Sequence, residues 1–262
     1  MTIPRGLYVP AVAAIAMLIL PIVGLMSRVR WERLGQDLFS PAALNALGLS
    51  LSTAACATVL CLLLGGPLAI VIARAPRRTA AVLRTIVLVP LVLPPMVGGL
   101  ALLALLGRSG LVGRPLFEST GFSLPYTTAA VVLAQAFVAL PFLVIAVEGA
   151  LRTSGIGHEQ VAATLGAGRW RVLLRVTLPL VLPGLVAGTV LCFARALGEF
   201  GATALFAGNA EGVTRTMPLA IYTAFNGVGV TQDSAVALSL LLLVSAAVIV
   251  SGLRSWREDA VR

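Results

Sequence analysis

Lysine is absent from this 262-residue chain and histidine occurs once, which excludes two common kinds of functional site. All nineteen basic residues are arginines. A phosphate-binding loop of the G-x-x-x-x-G-K-[ST] type requires a lysine, so this chain cannot bind a nucleotide in that way. The single His158 excludes zinc sites built on a histidine pair, such as H-E-x-x-H. If ATP drives this protein, another chain must bind the ATP.

Cysteine and charged residues are also scarce, and the composition indicates a membrane protein. Only 11% of the residues are charged, 59% are hydrophobic, and the mean hydropathy is +1.02. These values lie outside the range of soluble domains and are typical of proteins with several lipid-spanning segments. Cys56, Cys61 and Cys192 lie inside apolar stretches, so we expect them to pack between helices and not to form a disulfide framework.

Six apolar stretches are candidates for transmembrane helices, so the chain is predicted to be an all-α integral membrane protein. They cover residues 7–26, 42–73, 82–106, 128–147, 177–200 and 234–253. A cleavable secretory signal is the alternative for the first stretch, but five further spans favour a retained helix. Residues 201–233 are too interrupted for a full span. No polar linker divides the sequence, so residues 1–262 are predicted to form one domain.

Prolines and small residues indicate where the spans bend or approach one another closely. Pro94 and Pro95 remove backbone donors within the third span, which a membrane helix tolerates where neighbours or a wet cavity satisfy the freed carbonyls. They mark either a kinked packing helix or a helix that lines a translocation pathway. In the fifth span Gly184 and Gly188 form a GxxxG pattern, which favours tight helix contact, including contact between subunits.

The arginines are distributed unevenly between the two sides of the predicted helices. Loops on the side of the termini hold twelve arginines and loops on the other side hold six. Cytoplasmic loops of membrane proteins are enriched in basic residues, so both termini are predicted to be cytoplasmic. The sequence pI of 11.1 is compatible with nucleic-acid binding, but this distribution is explained by membrane topology, and no nucleic-acid partner is predicted.

A polar and basic stretch separates the fourth and fifth spans. It reads EQVAATLGAGRWRVLLRVTLP over residues 159–179 and contains Arg169, Arg171 and Arg175. Gly166 and Gly168 interrupt an otherwise continuous helix, which predicts two short helices with a glycine turn between them. On composition alone, the stretch is a solvated connector on the cytoplasmic side.

The spacing of this stretch resembles the EAA loop of membrane subunits of ATP-binding-cassette (ABC) importers. That pattern is E-A-A, three residues, Gly, nine residues and I-x-L-P. It falls here on Gln160, Val161, Ala162, Gly166, Val176, Leu178 and Pro179, with Glu159 one residue before it. In this family the loop docks on the ATPase subunit and transmits its motion. The resemblance implies a coupling loop at about residues 152–176.

The fifth span ends with two ionisable residues, Arg195 and Glu199, which are four positions apart and so share one helix face. An ionisable group at the centre of a membrane helix costs about 2.5 to 3.5 kcal/mol on insertion scales, so it needs a partner or a wet cavity. The two residues form either a structural pair or an electropositive vestibule in which Arg195 meets an anion and Glu199 holds its side chain. Arg195, Glu199, Pro94 and Pro95 are therefore candidates for the translocation pathway.

Three further segments resemble the permeases of oxyanion importers. RALGEFGAT at 195–203, FAGN at 206–209 and TRTMPLAIYTA at 214–224 are similar to molybdate permeases, and sulfate, thiosulfate and tungstate permeases share the GEFGA core. The resemblance implies a type I ABC importer permease in the bacterial inner membrane that works by alternating access. It also implies a second copy of this chain, two ATP-binding subunits and an extracytoplasmic molybdate-binding protein as partners, besides membrane lipid.

The resemblance assigns no catalytic residue, cofactor or metal site to this chain, since ATP and Mg²⁺ would bind to the ATPase subunits. The alternatives are a sulfate, thiosulfate or tungstate permease of the same class, and a secondary transporter or channel without an ATPase. The second alternative offers no account of the EAA-like spacing. An intramembrane enzyme is disfavoured because the spans hold no pair of aspartates and no serine–histidine arrangement.

Overall fold

The computed structural model describes residues 4–227 and 232–259, and within these ranges it contains helices and no strand. The predicted all-α class is therefore confirmed. The helices are α1 (Tyr8–Met26), α2 (Trp31–Leu38), α3 (Pro41–Arg74), α4 (Arg77–Val92), α5 (Pro95–Leu106), α6 (Gly113–Thr120), α7 (Thr128–Ser154), α8 (Gly157–Thr164), α9 (Arg169–Val172), α10 (Leu178–Leu197), α11 (Gly201–Phe206), α12 (Met217–Phe225) and α13 (Gln232–Asp259), with a π-helical segment at Leu173–Thr177 between α9 and α10.

Four helical stretches within the described ranges are long and apolar enough to cross a membrane, so the chain is a multi-pass membrane protein. They are Tyr8–Met26, Pro41–Arg74, Thr128–Ser154 and Arg169–Leu197. A fifth exists if the bent pair α4 and α5 counts as one span. The sixth predicted stretch lies in α13, whose described apolar part, Ser234–Val248, is shorter than a full span. The count of six spans stays a prediction.

The third predicted span is not one helix, and this expectation is corrected. α4 and α5 meet at an angle of 111°. Leu93 and Pro94 between them have extended backbone angles. Each of these two residues precedes a proline, and the ring of the following proline disfavours the helical conformation. The chain therefore turns sharply where a kinked but continuous helix was predicted.

The centre of the molecule is α7, which packs along both α3 and α10. α3 begins with the Ser40 hydroxyl accepting a hydrogen bond of 3.3 Å from the Ala43 N–H, as expected for a helix N-cap. It then runs for 34 residues without a break at Pro67. Cys61 and Cys192 are buried in this core as packing residues.

The GxxxG pattern of α10 brings it against α7 of the same chain. A Cβ at Gly184 would lie 2.3 Å from Ala150 Cβ, and a Cβ at Gly188 would lie 2.9 Å from Ala146 Cβ. Any side chain at these positions would push the two helices apart. The expected tight contact is confirmed within the chain, where both glycines face α7, and a subunit interface at these positions stays a prediction.

Candidate functional site

The basic loop lies at the end of the molecule where α7 stops and α10 starts. α7 ends at Ser154 and is followed by Gly155 with a φ of +66°, so the predicted loop of 152–176 begins inside the last turn of α7. α8 and α9 are the two short helices that the glycines predicted. Gly166 lies between them with a φ of +84°, a conformation that favours glycine. The predicted turn at Gly166 is confirmed.

Glu159 in α8 is the residue that attaches this loop to the membrane helices. One of its carboxylate oxygens, Oε1, forms an ion pair with the Arg74 guanidinium at the end of α3. The same oxygen accepts a hydrogen bond of 2.8 Å from the Thr177 hydroxyl. Gln160, at the position where the EAA pattern has glutamate, is exposed, and Ala162 is half-buried. The carboxylate one residue earlier therefore makes the anchoring contact.

Leu178 and Pro179 lie where the loop joins α10, directly after the π-helical segment. The Leu178 N–H donates to the carbonyl of Leu173, five residues earlier, which is the bond that defines a π turn. A proline has no N–H to donate, and its ring would collide with the carbonyl four residues before it in a regular helix. The wider π turn before Pro179 is consistent with that steric requirement.

The outer side of the loop carries exposed apolar and basic side chains, which we call the loop surface. Its members are Val161, Leu165, Arg169, Trp170, Arg171 and Arg175. The exposed fractions of Leu165 and Trp170 are 82% and 76%. Large apolar side chains clustered on an exposed loop are typical of a surface that another protein covers.

A second ion pair near the same end was not predicted from the sequence. Arg84 of α4 donates from Nε to Glu148 Oε1 of α7 over 2.7 Å, and Arg152 approaches the same oxygen at 3.6 Å. Glu148 is buried. The spacing of Glu148 and Arg152 is the i,i+4 pattern of a helix pair, so their contact could have been predicted from the sequence. The contact with Arg84 could not, because it depends on how α4 packs against α7.

Arg195 and Glu199 form the predicted ion pair at the opposite end of α10. Arg195 NH1 lies 2.7 Å from Glu199 Oε2. The other carboxylate oxygen accepts a hydrogen bond of 2.7 Å from the Ala202 N–H in the first turn of α11. The side chain of Glu199 is 1% exposed and that of Arg195 is 28% exposed. Glu199 therefore fixes both Arg195 and the start of α11.

The proline junction of the third predicted span contacts this region. A Cβ at Gly201 would lie 2.8 Å from Pro95 Cβ, and a Cβ at Gly99 would lie 2.7 Å from the Ala202 carbonyl oxygen. α5 and α11 thus pack backbone to backbone through glycines. Of the four candidate pathway residues, Arg195, Glu199 and Pro95 are brought together here, and Pro94 precedes the contact by one residue.

Within the part of the chain that the structure describes, three buried polar side chains near these helices have atoms without a hydrogen-bond partner. They are Gln135 of α7, Thr203 of α11 and Thr216 before α12. Buried polar groups normally have a hydrogen-bond partner, so these three side chains are exceptions to the rule. The sequence analysis gave Gln135 no role. The described part of the chain contains no group of three or more His, Cys, Asp or Glu side chains that could hold a metal ion.

Comparison with known proteins identifies the family. The profile described as "Binding-protein-dependent transport system inner membrane component" matches residues 65–262. The chain is 56% identical over 251 residues to the molybdenum transport system permease protein ModB of Mycobacterium tuberculosis strain H37Rv, covering 95% of this chain and 93% of the relative. It is 43% identical over 176 residues to ModB of Escherichia coli K12, covering 67% and 76%.

Solved structures share the fold at low sequence identity. A bacterial alginate ABC transporter in complex with an alginate-bound periplasmic protein gives a TM-score of 0.71 at 19% identity, covering 95% of this chain and 91% of that one. An inward-facing MetNI methionine ABC transporter gives 0.65 at 17% identity, covering 84% and 96%. These likenesses confirm the type I importer permease architecture. The chain belongs to the family of binding-protein-dependent transport system inner membrane components.

Proposed function

We propose that this chain is the membrane-spanning subunit of an ATP-driven molybdate importer and that it forms the translocation pathway by alternating access. The assignment of molybdate as the substrate rests on one observation, which is the 56% identity, over 95% of the chain, to a mycobacterial permease named for molybdenum transport. The RALGEFGAT and FAGN segments lie on α10, α11 and the turn after them. A sulfate, thiosulfate or tungstate importer is the alternative within the same class.

An ATP-binding subunit is the partner that fits the loop surface. The exposed Leu165 and Trp170 supply apolar area, and the three arginines beside them supply positive charge. The ion pair of Glu159 with Arg74 holds the loop against α3 on its other side. A subunit docked on the loop surface would therefore contact a segment that is attached to the membrane helices. ATP and Mg²⁺ belong to that subunit in this proposal, and hydrolysis takes place there.

A second copy of this chain is the partner that fits α1. None of the residues of this 19-residue apolar helix is buried by the described part of its own chain. Near its end, Pro21, Ile22 and Leu25 line a groove with α10, α12 and α13, and most of its other residues are exposed among the described residues. Helices in membranes associate through packing against one another, and two copies would give α1 a surface to pack on. Lipid would cover what remains exposed.

The remaining elements of the proposal concern orientation and delivery. Both termini and the basic loop lie in the cytoplasm, in keeping with the arginine distribution. An extracytoplasmic binding protein then delivers the anion at the opposite end, where α10 finishes and α11 begins. Arg195 is part of the pathway at that end because its guanidinium stays partly exposed while Glu199 holds it in place. A divalent oxyanion leaving water requires such compensation.

Uptake into proteoliposomes tests this function. The chain is reconstituted with its ATP-binding subunit and its binding protein, and labelled molybdate uptake is measured with ATP inside the vesicles. Uptake should require ATP and both partners, and unlabelled tungstate and sulfate should compete less well than molybdate. Stronger competition by sulfate would assign the alternative substrate, and uptake by the chain without an ATPase would identify a secondary transporter or channel.

A further inference from the structure

One carboxylate oxygen joins three separate segments of the chain at the back of the basic loop. Glu159 Oε1 in α8 is bound both by the Arg74 guanidinium, which ends α3, and by the Thr177 hydroxyl, which ends the π-helical segment. We call these three side chains the joint. The residues that meet there are 85 and 18 positions apart in the sequence, so only the tertiary structure assembles them.

The hydroxyl of Thr177 behaves differently from most helical hydroxyls in this molecule. Those of Thr58, Thr189 and Thr223 donate to the carbonyl four residues earlier in their own helix. Thr177 instead donates across to another segment, and it is buried with 6% exposure. A bond from a hydroxyl to an ionised carboxylate is stronger than one to a neutral acceptor. The contact therefore joins the π-helical segment to α8 and is not a hydrogen bond within one helix.

The segment that ends at Thr177 is also the one irregular turn between the loop and α10. Single π turns within helices are frequent at functional sites and mark places where a helix deforms. Above this turn α10 continues to Arg195, about 27 Å further along at 1.5 Å per residue. Arg195 and Glu199 then hold the first turn of α11. Helix α10 therefore joins the joint at one end to the candidate pathway residues Arg195 and Glu199 at the other, so a movement at the joint can reach them.

We propose that Arg74 and Thr177 are positioning residues of the transport cycle. Acting through Glu159, they tie α8 to both α3 and α10, so that movement of the docked loop displaces both membrane helices, with α10 bending at the π turn. This inference rests on the proposed function for its ATPase partner. The groove beside the joint, lined among others by Ile70 and Ala163, leaves space in which α8 can shift.

The test compares ATP hydrolysis with uptake in the reconstituted complex carrying Arg74→Gln or Thr177→Val. Both variants should assemble and hydrolyse ATP at the parental rate. Uptake per ATP hydrolysed should fall about fivefold in Arg74→Gln, the upper size expected from losing a partly exposed ion pair, and less in Thr177→Val. Arg78→Gln is the matched control, because Arg78 is exposed and makes no ion pair in the described part of the chain.

Charge reversal separates a positioning role from a purely structural one. The double variant Arg74→Glu, Glu159→Arg restores the ion pair but not the carboxylate that accepts from Thr177, so it should recover the part of the uptake per ATP that depends on Arg74 and exceed both single reversals. An unchanged ratio in Arg74→Gln would overturn the inference. So would a parallel loss of assembly, hydrolysis and uptake, since the joint would then only support the fold.

A second readout does not depend on the substrate. Coupling between two sites is reciprocal, so a non-hydrolysable ATP analogue should change the affinity of the parental complex for its binding protein. That change should be reduced about fivefold in Arg74→Gln and retained in Arg78→Gln. If the parent takes up no molybdate but this difference appears, the substrate assignment fails and the inference stands. An equal nucleotide effect in both variants would overturn the inference.

Discussion

Helix α10 has a glutamate–arginine pair at each of its ends, and the two pairs are built differently. At its start, Glu159 and Arg74 come from distant parts of the chain and both are partly exposed. At its finish, Arg195 and Glu199 belong to one helical repeat, and Glu199 is almost completely buried. The first arrangement links separate segments that can move against each other. The second holds a tightly packed junction together.

The same contrast appears in the glycines of the two regions. Gly99 and Gly201 are required by close packing of α5 against α11, where a Cβ would collide with a neighbour. Around Gly166 in the loop, no atom of the described residues, apart from its chain neighbours, lies within 4 Å of where a Cβ would lie, and its requirement is the positive φ. Substitutions should therefore damage packing at one end of α10 and backbone conformation at the other.

The largest effect is expected when single cysteines are labelled from the two sides of the membrane. If the basic loop and the opposite end of the molecule lay on the same side, the contrast between them would lose its meaning. In a background without native cysteines, Ser119→Cys should react with an impermeant reagent from outside and His158→Cys from inside only. His158 is a better position for the probe than Gly155, because Gly155 has a positive φ that a cysteine would strain. Labelling of both positions from outside would contradict the predicted orientation.

The next largest effect is expected for Glu199→Gln, which leaves Arg195 without its carboxylate inside the packed junction. Removing one partner of a buried ion pair costs about 3 kcal/mol or more of folding free energy. Thermal unfolding of the purified protein in detergent should show this loss. The control is Glu118→Gln, which breaks the exposed i,i+4 pair with Arg114 and should cost about 0.5 kcal/mol or less. Equal losses would show that burial does not distinguish the two pairs.

Replacing Arg195 tests whether this junction also faces the anion. Arg195→Gln should lower uptake about tenfold, the size expected from losing one charge-assisted bond to the anion, while binding of the delivery protein stays parental. The double variant Arg195→Gln, Glu199→Gln removes both charges and should not recover transport. Recovery to near the parental rate would show that the pair is structural and that the pathway lies elsewhere.

The loop glycine should behave as a conformational requirement. Gly166→Asp places a side chain at a positive φ, which costs about 1–2 kcal/mol, and uptake should fall about tenfold while membrane insertion is retained. Gly168→Asp is the matched control, since Gly168 has a φ of −66° and open space around it. Parental uptake by Gly166→Asp would show that this turn is not the coupling element.

The smallest effect is expected for the stability of Glu159→Gln. Because both members of that pair are partly exposed, its loss should lower the folding free energy by about 1 kcal/mol or less. Unfolding measured beside Glu199→Gln provides the direct comparison. A loss as large as that of Glu199→Gln would mean that the joint is a structural pair like the one at the other end of α10.

Much of the fold could be predicted from composition and local chemistry. The bounds of α1, α3 and α10 differ from the predicted spans by a few residues at most, because a long apolar run is a local property of the sequence and, for α3, the Ser40 cap marks the first turn. The fourth span was predicted to end at residue 147, but α7 continues to Ser154. Glu148 and Arg152 look like loop residues, yet both lie inside the helix, where Glu148 pairs with Arg84 of α4 and also approaches Arg152.

The candidate site also contains features that local sequence predicts and features that depend on packing. Gly166 and the pair of Arg195 with Glu199 were predictable because a glycine turn and an i,i+4 pair are local features. The bonds of Arg74 and Thr177 to Glu159 were not, since no local pattern indicates which distant side chain a carboxylate will meet. The angle of 111° between α4 and α5 is intermediate: the prolines predicted a kink, and only the structure shows that the helix breaks there and that α5 packs against α11.

From the sequence alone it was predictable that this protein is helical, that it crosses a membrane several times, and that it holds no phosphate-binding loop of the lysine type. Those properties follow from hydropathy, from residue spacing and from the absence of lysine, which need no knowledge of the fold. Only the tertiary structure decided that Gly184 and Gly188 serve contact within the chain, and that Glu159 and not Gln160 anchors the loop. Contacts between segments depend on how whole helices pack, and packing is a property of all the side chains together.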